Sequence, residues 1–156
     1  MEIFIHKNDL PYVEDDTNLN NDFDRNFLRN EIIPSLGKRW SKLSERAALT
    51  SLTAKKKKLS LDFMLEKNFK KEISTGIIER AKFIETPPFL IEELIRLILR
   101  KKGIALPSQK VLSEIMNVFF HKKPSNESYV EWSRKDGEQI GGKVFSEHND
   151  IILKKK

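Results

Sequence analysis

The 156-residue sequence contains no cysteine, only three histidines, and no apolar run near the roughly 20 residues of a membrane-spanning helix. Without cysteine there is no disulfide, no thiolate nucleophile and no cysteine-type zinc site, which fits a reducing compartment. The opening residues 1–6 lack the basic flank and the long apolar core of a secretory signal. We therefore expect a cytoplasmic protein with no membrane partner.

The sequence also lacks the common patterns of metal and phosphate chemistry. Its histidines stand far apart, with no ligand spacing on one helix, so no metal centre is predicted. Its adjacent glycines, Gly141 and Gly142, lie between strand-like segments and do not open a helix as a phosphate loop does. Aspartate and asparagine alternate from residue 16 to 24 as in a calcium loop. That interpretation is rejected because Asn21 and Phe27 replace its glycine and closing carboxylate.

Charge is abundant but unevenly placed. Charged residues make up 33% of the chain and the net charge is +6, divided into −5 for residues 1–31 and +11 for the remainder. A basic body favours a polyanionic partner, although excess surface lysine on a soluble domain gives the same composition. Arg25 and Arg29 stand at the change of sign. Their spacing places both on one face of a helix, where they can bind an anion.

The strongest periodicity predicts two core helices. Thr86 is placed to cap the first, Pro87 to begin it and Gly103 to end it, while Ser108 is placed to cap the second. Their apolar residues recur at helical spacing. The inward positions are Leu90, Ile91, Leu94, Ile95, Ile98, Val111, Leu112, Ile115, Val118 and Phe119.

Earlier segments predict further helices. One begins near Asp24, capped by Asp22 or Asp24, and is interrupted by Pro34. The longest runs from Ser41 or Ser44 to about Lys71. Its candidate inward positions are Leu43, Ala47, Leu52, Leu59, Phe63 and Met64. After Gly76, the spacing of Ile77, Ile78, Ala81 and Ile84 indicates a short helix.

The C-terminal part alternates apolar and polar residues, which is typical of strands. Turns are predicted at Asp136–Gly137 and at His148–Asp150, giving a three-stranded antiparallel sheet packed on the helices. The predicted fold class is therefore mainly α: a helical bundle with a small C-terminal antiparallel β-sheet (α+β).

Four consecutive lysines, Lys55, Lys56, Lys57 and Lys58, lie in the longest predicted helix. Consecutive residues cover every face of a helix, so one lysine lies over the apolar stripe and extends its ammonium outward. Two interpretations remain open: a solvated helix face, or a phosphate contact within a basic domain. In the second interpretation the run forms a phosphate track together with Lys38, Lys42, Arg96 and Arg100.

The polar stretch from Glu14 to Arg29 is either a capped, salt-bridged junction or a binding site. Four motifs in and after it are Pro-Tyr-Val-Glu-Asp-Asp-Thr-Asn at 11–18, Phe-Asp-Arg-Asn-Phe-Leu-Arg at 23–29, Pro-Ser-Leu at 34–36 and Arg-Trp at 39–40. In this order they resemble the tRNA(Ile)-lysidine synthetase family. The chain departs from the family pattern at Tyr12 (usually Trp), Asp16–Thr17 (usually Pro-Ser) and Ser41 (usually Pro).

The resemblance implies an activity that this sequence holds only in part. In the family, an N-terminal ATP-pyrophosphatase domain with a Ser-Gly-Gly-x-Asp-Ser loop adenylates the wobble cytidine of the isoleucine tRNA, and the side-chain amine of lysine displaces AMP. No such loop occurs in this sequence. We therefore expect a fragment that is inactive alone. Residues 1–31 would be the end of the catalytic domain, and residues 32–156 the helical tRNA-binding domain ending in a β-hairpin region.

The resemblance also implies site residues and partners. Arg25 and Arg29 are cleft-facing catalytic candidates, and Asn18, Asp24 and Asn26 are substrate-binding candidates. The implied partners are tRNA(Ile) and the missing catalytic domain in trans. No cofactor is expected in this chain, and ATP and Mg²⁺ are implied for the missing domain. The alternative is a non-catalytic basic module that binds RNA or docks on a protein through the apolar residues 3–5.

Overall fold

The computed structural model describes residues 8, 16–125, 127–133 and 140–156. The chain forms two units, Met1–Lys56 and Lys57–Lys156. The domain boundary expected after residue 31 lies inside the first unit and stays a prediction. In the parts of the chain described, no helix has the length and apolarity needed to cross a membrane.

In the first unit, residues 24–39 form a continuous helical rod. A 3₁₀ turn at Asp16–Leu19 is followed by α1 (Asp24–Phe27), a π turn (Leu28–Ile32) and α2 (Ile33–Arg39). The predicted cap at Asp22 or Asp24 is wrong, since the capping position is Phe23, whose backbone is extended and whose side chain makes no capping bond. Pro34 does not interrupt the rod. It lies in the first turn of α2, where a missing amide proton costs little.

The longest helix, α3 (Leu43–Asn68), is close to its predicted extent, but its predicted inward face is wrong. Leu52, Leu59, Phe63 and Met64 are all more than half exposed, whereas Leu65 is buried. Leu61, Phe69 and Ile73 pack against the same core as Leu65. The residues that face the core are therefore spaced four apart, beginning in α3 and continuing beyond its end. The sequence alone did not reveal them because α3 also carries a second apolar stripe.

The second unit contains the predicted core pair. Its helices are α4 (Lys70–Thr75), α5 (Arg80–Phe83), α6 (Pro88–Lys101) and α7 (Gln109–Met116), the last extended by a π turn at Asn117–His121. Ser108 caps α7 as predicted, because its Oγ accepts a hydrogen bond from the Val111 amide at 3.3 Å. The Thr86 cap is wrong: Pro87 takes the capping position of α6, which has no side-chain cap.

Among the described residues the sheet has four antiparallel strands, one more than predicted. They are β1 (Ile77–Glu79), β2 (Tyr129–Trp132), β3 (Gly142–Glu147) and β4 (Asp150–Lys155), in the order β1-β4-β3-β2. The helix expected at Ile77 and Ile78 is wrong. Gly76, at a φ of 79°, ends α4, and the following β-branched residues pair with β4 instead.

The turn predicted at His148–Asp150 is confirmed, since His148 and Asn149 take positive φ angles of 49° and 71° between β3 and β4. The turn predicted at Asp136–Gly137 lies outside the described residues.

The core of the second unit lies between the sheet and the helix pair. Seven of the predicted inward positions are buried: Ile91, Leu94, Ile95, Ile98, Leu112, Ile115 and Phe119. The inner face of the sheet covers them with Ile78, Val130, Val144 and Ile151. Trp132 fixes the loop between α6 and α7, because its indole N–H donates a hydrogen bond of 2.6 Å to the Ala105 carbonyl. The mainly helical α+β fold is thus confirmed.

Candidate nucleic-acid interface

The loop before α1 is attached to the helical rod by a buried asparagine. Asn26 is 7% exposed, and its side-chain amide donates to the carbonyl of Thr17 at 2.7 Å and to that of Asn20 at 2.8 Å. A buried amide with both protons satisfied stabilises a loop that has few apolar contacts of its own. Asn26 was predicted to bind substrate, but both protons of its side-chain amide are donated to backbone carbonyls of the protein itself.

A second asparagine, one turn further along the rod, repeats this arrangement. The Asn30 amide donates to the carbonyl of Asn18 and to Oδ1 of Asn21, both at 3.0 Å. The sequence analysis did not identify Asn30 as a residue of this junction. The available signal was its spacing of four residues from Asn26, which places both on one face of a helix. Asn18 is another predicted substrate-binding residue, and its backbone carbonyl accepts the hydrogen bond from the Asn30 side chain.

Arg25, Arg29 and Asp24 are exposed on the helical rod that these asparagines anchor. Among the described residues, neither guanidinium forms a hydrogen bond or an ion pair. An unpaired guanidinium on an ordered helix is available to a phosphate, which it binds through two parallel N–H groups. The role predicted for both arginines stays a prediction.

The first unit also contains a basic cavity of about 550 Å³. Its lining residues are Arg39, Trp40, Ser41, Lys42, Leu43 and Arg46. Trp40 is 52% exposed, and the Arg39 guanidinium lies 5.7 Å from the centroid of its ring in a cation–π contact. We call this the Trp40 cavity. It combines positive charge with an exposed aromatic ring, the two features that hold single-stranded nucleic acid.

Sequence reasoning placed Lys42 in the site and missed Arg39, Trp40 and Arg46. The signal was present, because Arg39 and Trp40 form one of the motifs on which the family resemblance depends. Lys38, also predicted, is exposed in the last turn of α2.

Three of the remaining predicted residues are paired with carboxylates of the second unit. Lys58 pairs with Asp62 at 2.6 Å and with Glu93 at 3.1 Å. Arg96 contacts Glu93 at 3.0 Å, and Arg100 contacts Asp62 at 3.0 Å. These three cations are brought together by carboxylates, so their charge is largely neutralised within the second unit. Lys55, Lys56 and Lys57 are exposed.

The described residues do not fit ATP with Mg²⁺. They contain no group of three or more acidic or histidine side chains that could hold a metal ion. Gly141 and Gly142 lead into β3, not into a helix whose amides could bind a phosphate. No step of a reaction is therefore assigned to a nucleotide or a metal in this chain.

Comparison with known proteins gives a consistent result. Residues 1–36 match a family described as a PP-loop domain. The tRNA(Ile)-lysidine synthase of Buchnera aphidicola subsp. Acyrthosiphon pisum is 32% identical over 132 residues, which are 83% of this chain and 30% of that protein. The enzyme of the same name from Haemophilus ducreyi is 30% identical over 72% of this chain and 27% of its own length. That of Coxiella burnetii is 28% identical over 96% of this chain and 34% of its own.

The PP-loop match covers residues 1–36, and the matches to the relatives extend over most of the chain. The matches over most of the chain then confirm the resemblance to the tRNA(Ile)-lysidine synthetase family. The chain spans about a third of the length of these relatives.

Proposed function

We propose that this chain is the tRNA-binding portion of a tRNA(Ile)-lysidine synthetase, the cytoplasmic ATP-dependent ligase that joins lysine to the wobble cytidine of the isoleucine tRNA. ATP and Mg²⁺ act in a catalytic domain carried by another stretch of polypeptide, and this chain alone does not form lysidine. The observation that carries the proposal is the Trp40 cavity, which is basic, aromatic and exposed.

The chemistry of the cavity favours RNA over a small anion. Arg39, Lys42 and Arg46 supply three cations around one opening, enough for successive phosphates of one strand. Trp40 offers a ring on which an unpaired base stacks, and base stacking on aromatic side chains is the usual way of recognising unpaired RNA. A site of this kind fixes the position of the nucleotide while chemistry takes place nearby.

Arg25 and Arg29 have a separate part in the proposal. They bind phosphates near the reacting nucleotide, and Asn26 and Asn30 of the helical rod hold the preceding loop against it. Asn18, Asp24 and Asn26 then contribute by ordering this junction. Lys38, Lys55, Lys56 and Lys57 add to the positive potential that attracts the RNA.

The test supplies the catalytic domain as a separate polypeptide carrying the Ser-Gly-Gly-x-Asp-Ser loop, made from the Buchnera relative. Lysidine in a tRNA(Ile) transcript is measured by mass spectrometry. The full chain should restore product and Arg29→Ala should restore much less, while the matched control Lys110→Ala should behave as the parent does. Equal rescue by Arg29→Ala would remove that arginine from the site. Absence of both rescue and tRNA binding would overturn the proposal.

One observation favours a second candidate, a non-catalytic docking module. Leu59, Phe63 and Met64 follow one another at helical spacing on α3, and Phe63 is 66% exposed. An exposed apolar group of this kind fits a protein partner. Light scattering separates the candidates, because a monomer at high concentration contradicts an uncovered docking surface. The apolar residues 3–5, predicted to dock, lie outside the described residues.

A further inference from the structure

The face of the sheet turned away from the core carries a continuous apolar row. The residues of this row are cross-strand partners in register, one from each strand: Tyr129, Phe145, Ile152 and Ile77. Strand side chains alternate between faces, so this row lies opposite the buried residues of the same strands. Tyr129 is 57% exposed. The sheet therefore presents two aromatic rings side by side on its outer face.

Two lysines lie beside these rings without a carboxylate partner. Lys143 and Lys154 are directly opposite each other on β3 and β4, in the next row of the same face. Like charges in this position destabilise a sheet. Glu131, the cross-strand partner of Lys143, is engaged by Lys156 at 3.1 Å. In the described part of the chain, neither Lys143 nor Lys154 forms an ion pair.

The two ammonium groups instead lie over the aromatic rings. Lys143 Nζ is 4.3 Å from the centroid of Tyr129, and Lys154 Nζ is 4.5 Å from that of Phe145. These four side chains, with Glu127 and Ser128, line a small cavity of about 190 Å³. An anion placed between the lysines would relieve their repulsion, and the rings would then be free to take a planar group.

A third row limits what can bind. Glu147, Asp150 and Glu79 are cross-strand partners on the other side of the aromatic row. Glu79 is paired with Lys71 and Lys82, so the negative charge of this row lies mainly on Glu147 and Asp150. The face thus runs from cationic through aromatic to acidic. A duplex laid across it would bring phosphates onto carboxylates, and an acidic peptide would meet the same repulsion. A single strand avoids this when its phosphates follow the lysines and its bases cover the rings.

We propose that this outer face binds unpaired nucleotides of RNA, with bases stacked on Tyr129 and Phe145 and phosphates neutralising Lys143 and Lys154. The inference rests on the proposed RNA-binding function and adds a second site to it, in the second unit. The site binds a single-stranded segment through its bases as well as its phosphates. A patch that only attracts polyanions would contact the phosphates alone.

The test measures binding of the full chain to a short fluorescein-labelled oligouridylate by anisotropy. Phe145→Leu and Tyr129→Leu keep an apolar side chain but remove the ring, and each should weaken binding by about fivefold or more. Tyr129→Phe keeps the ring and should bind as the parent does. The double variant Lys143→Gln/Lys154→Gln should reduce the slope of log K against log salt by about 0.7 to 1.4.

Controls separate this site from general charge and from misfolding. Lys155→Gln removes the same charge from the neighbouring position of β4, on the opposite face, and should leave binding unchanged. Thermal unfolding should show that the leucine variants remain folded.

An oligonucleotide without bases that binds as tightly as oligouridylate would overturn the inference, as would equal competition by a polyglutamate peptide. If tRNA binds but the leucine variants hold oligouridylate normally, only the sheet site fails. If the chain binds neither RNA, the proposed function fails.

Discussion

The buried side-chain amide of Asn26 donates a 2.7 Å hydrogen bond to the backbone carbonyl of Thr17, and so joins the start of the helical rod to the loop before it. The same amide also reaches the carbonyl of Asn20. Both donors of one side chain are thus used to hold a loop of polar residues. Hydrogen bonds from Asn26 and Asn30 hold this loop against the helical rod.

We expect Asn26→Asp to loosen the loop. A carboxylate has nearly the shape of the amide but donates no proton, so two carbonyls lose their partner at a cost of about 1–3 kcal/mol. Amide hydrogen exchange should accelerate across residues 16–23, while the sheet of the second unit keeps its protection. The control Asn117→Asp changes an exposed asparagine in the second unit and should alter neither region. Unchanged exchange in the loop would contradict this account of Asn26.

The Trp40 cavity predicts a strongly salt-dependent affinity for tRNA. Changing Arg39, Lys42 and Arg46 together to glutamine should flatten the slope of log K against log salt by about 0.7 to 0.9 for each phosphate that the variant no longer neutralises. Filter binding over a series of salt concentrations measures this slope.

Trp40→Ala should lower affinity for tRNA through the loss of base stacking and leave the slope unchanged. The matched control changes Lys67, Lys70 and Lys110 to glutamine, which removes the same charge elsewhere. If this control flattens the slope as much, binding follows net charge and the cavity has no special part.

The lysine run predicts a division of roles between neighbours. Lys58→Gln removes the cation shared by Asp62 and Glu93, and should lower the free energy of unfolding by about 1 kcal/mol. Lys57→Gln removes an exposed charge and should leave stability nearly unchanged. The free energies of unfolding of both variants and of the parent are measured by urea unfolding. Equal stability of the two variants would show that the Lys58 ion pairs are too solvated to matter.

Glu79 predicts a dependence of stability on pH. Hydrogen bonds from Lys71 and Lys82 lower its pKa from 4.5 to about 2. Because the folded-state pKa is the lower one, the stabilisation is present above about pH 4.5 and is lost as the pH falls toward 2. Urea unfolding between these pH values should therefore show a steeper loss for the parent than for Glu79→Gln. Glu147→Gln is the control, and should keep the slope of the parent.

Local patterns in the sequence were sufficient for the core helix pair. The apolar spacing of α6 and α7, the Ser108 cap and the turn at His148 and Asn149 are all read from residues a few positions apart. The order of motifs around Arg25 and Arg29 likewise carried the family resemblance. The helices, the cap and the turn follow from periodicity and backbone preference, which act within one element.

Other features could not be read in this way, because they depend on residues distant in the chain. Two apolar stripes on α3 compete in the sequence, and only packing against the core selected the one containing Leu65. Ile77 and Ile78 follow a helical spacing, yet pairing with β4 makes them a strand. The carboxylates that neutralise Lys58, Arg96 and Arg100 come partly from other helices.

The sequence by itself determined the mainly helical class, the position of the core helices, the basic charge and the family resemblance, since each is set by composition or short spacing. The tertiary structure decided which side chains from distant segments share a surface, such as the lysines of β3 and β4 beside Tyr129 and Phe145. The physical reason is that strand register and helix packing are fixed by burial of the whole core, and no single segment contains that information.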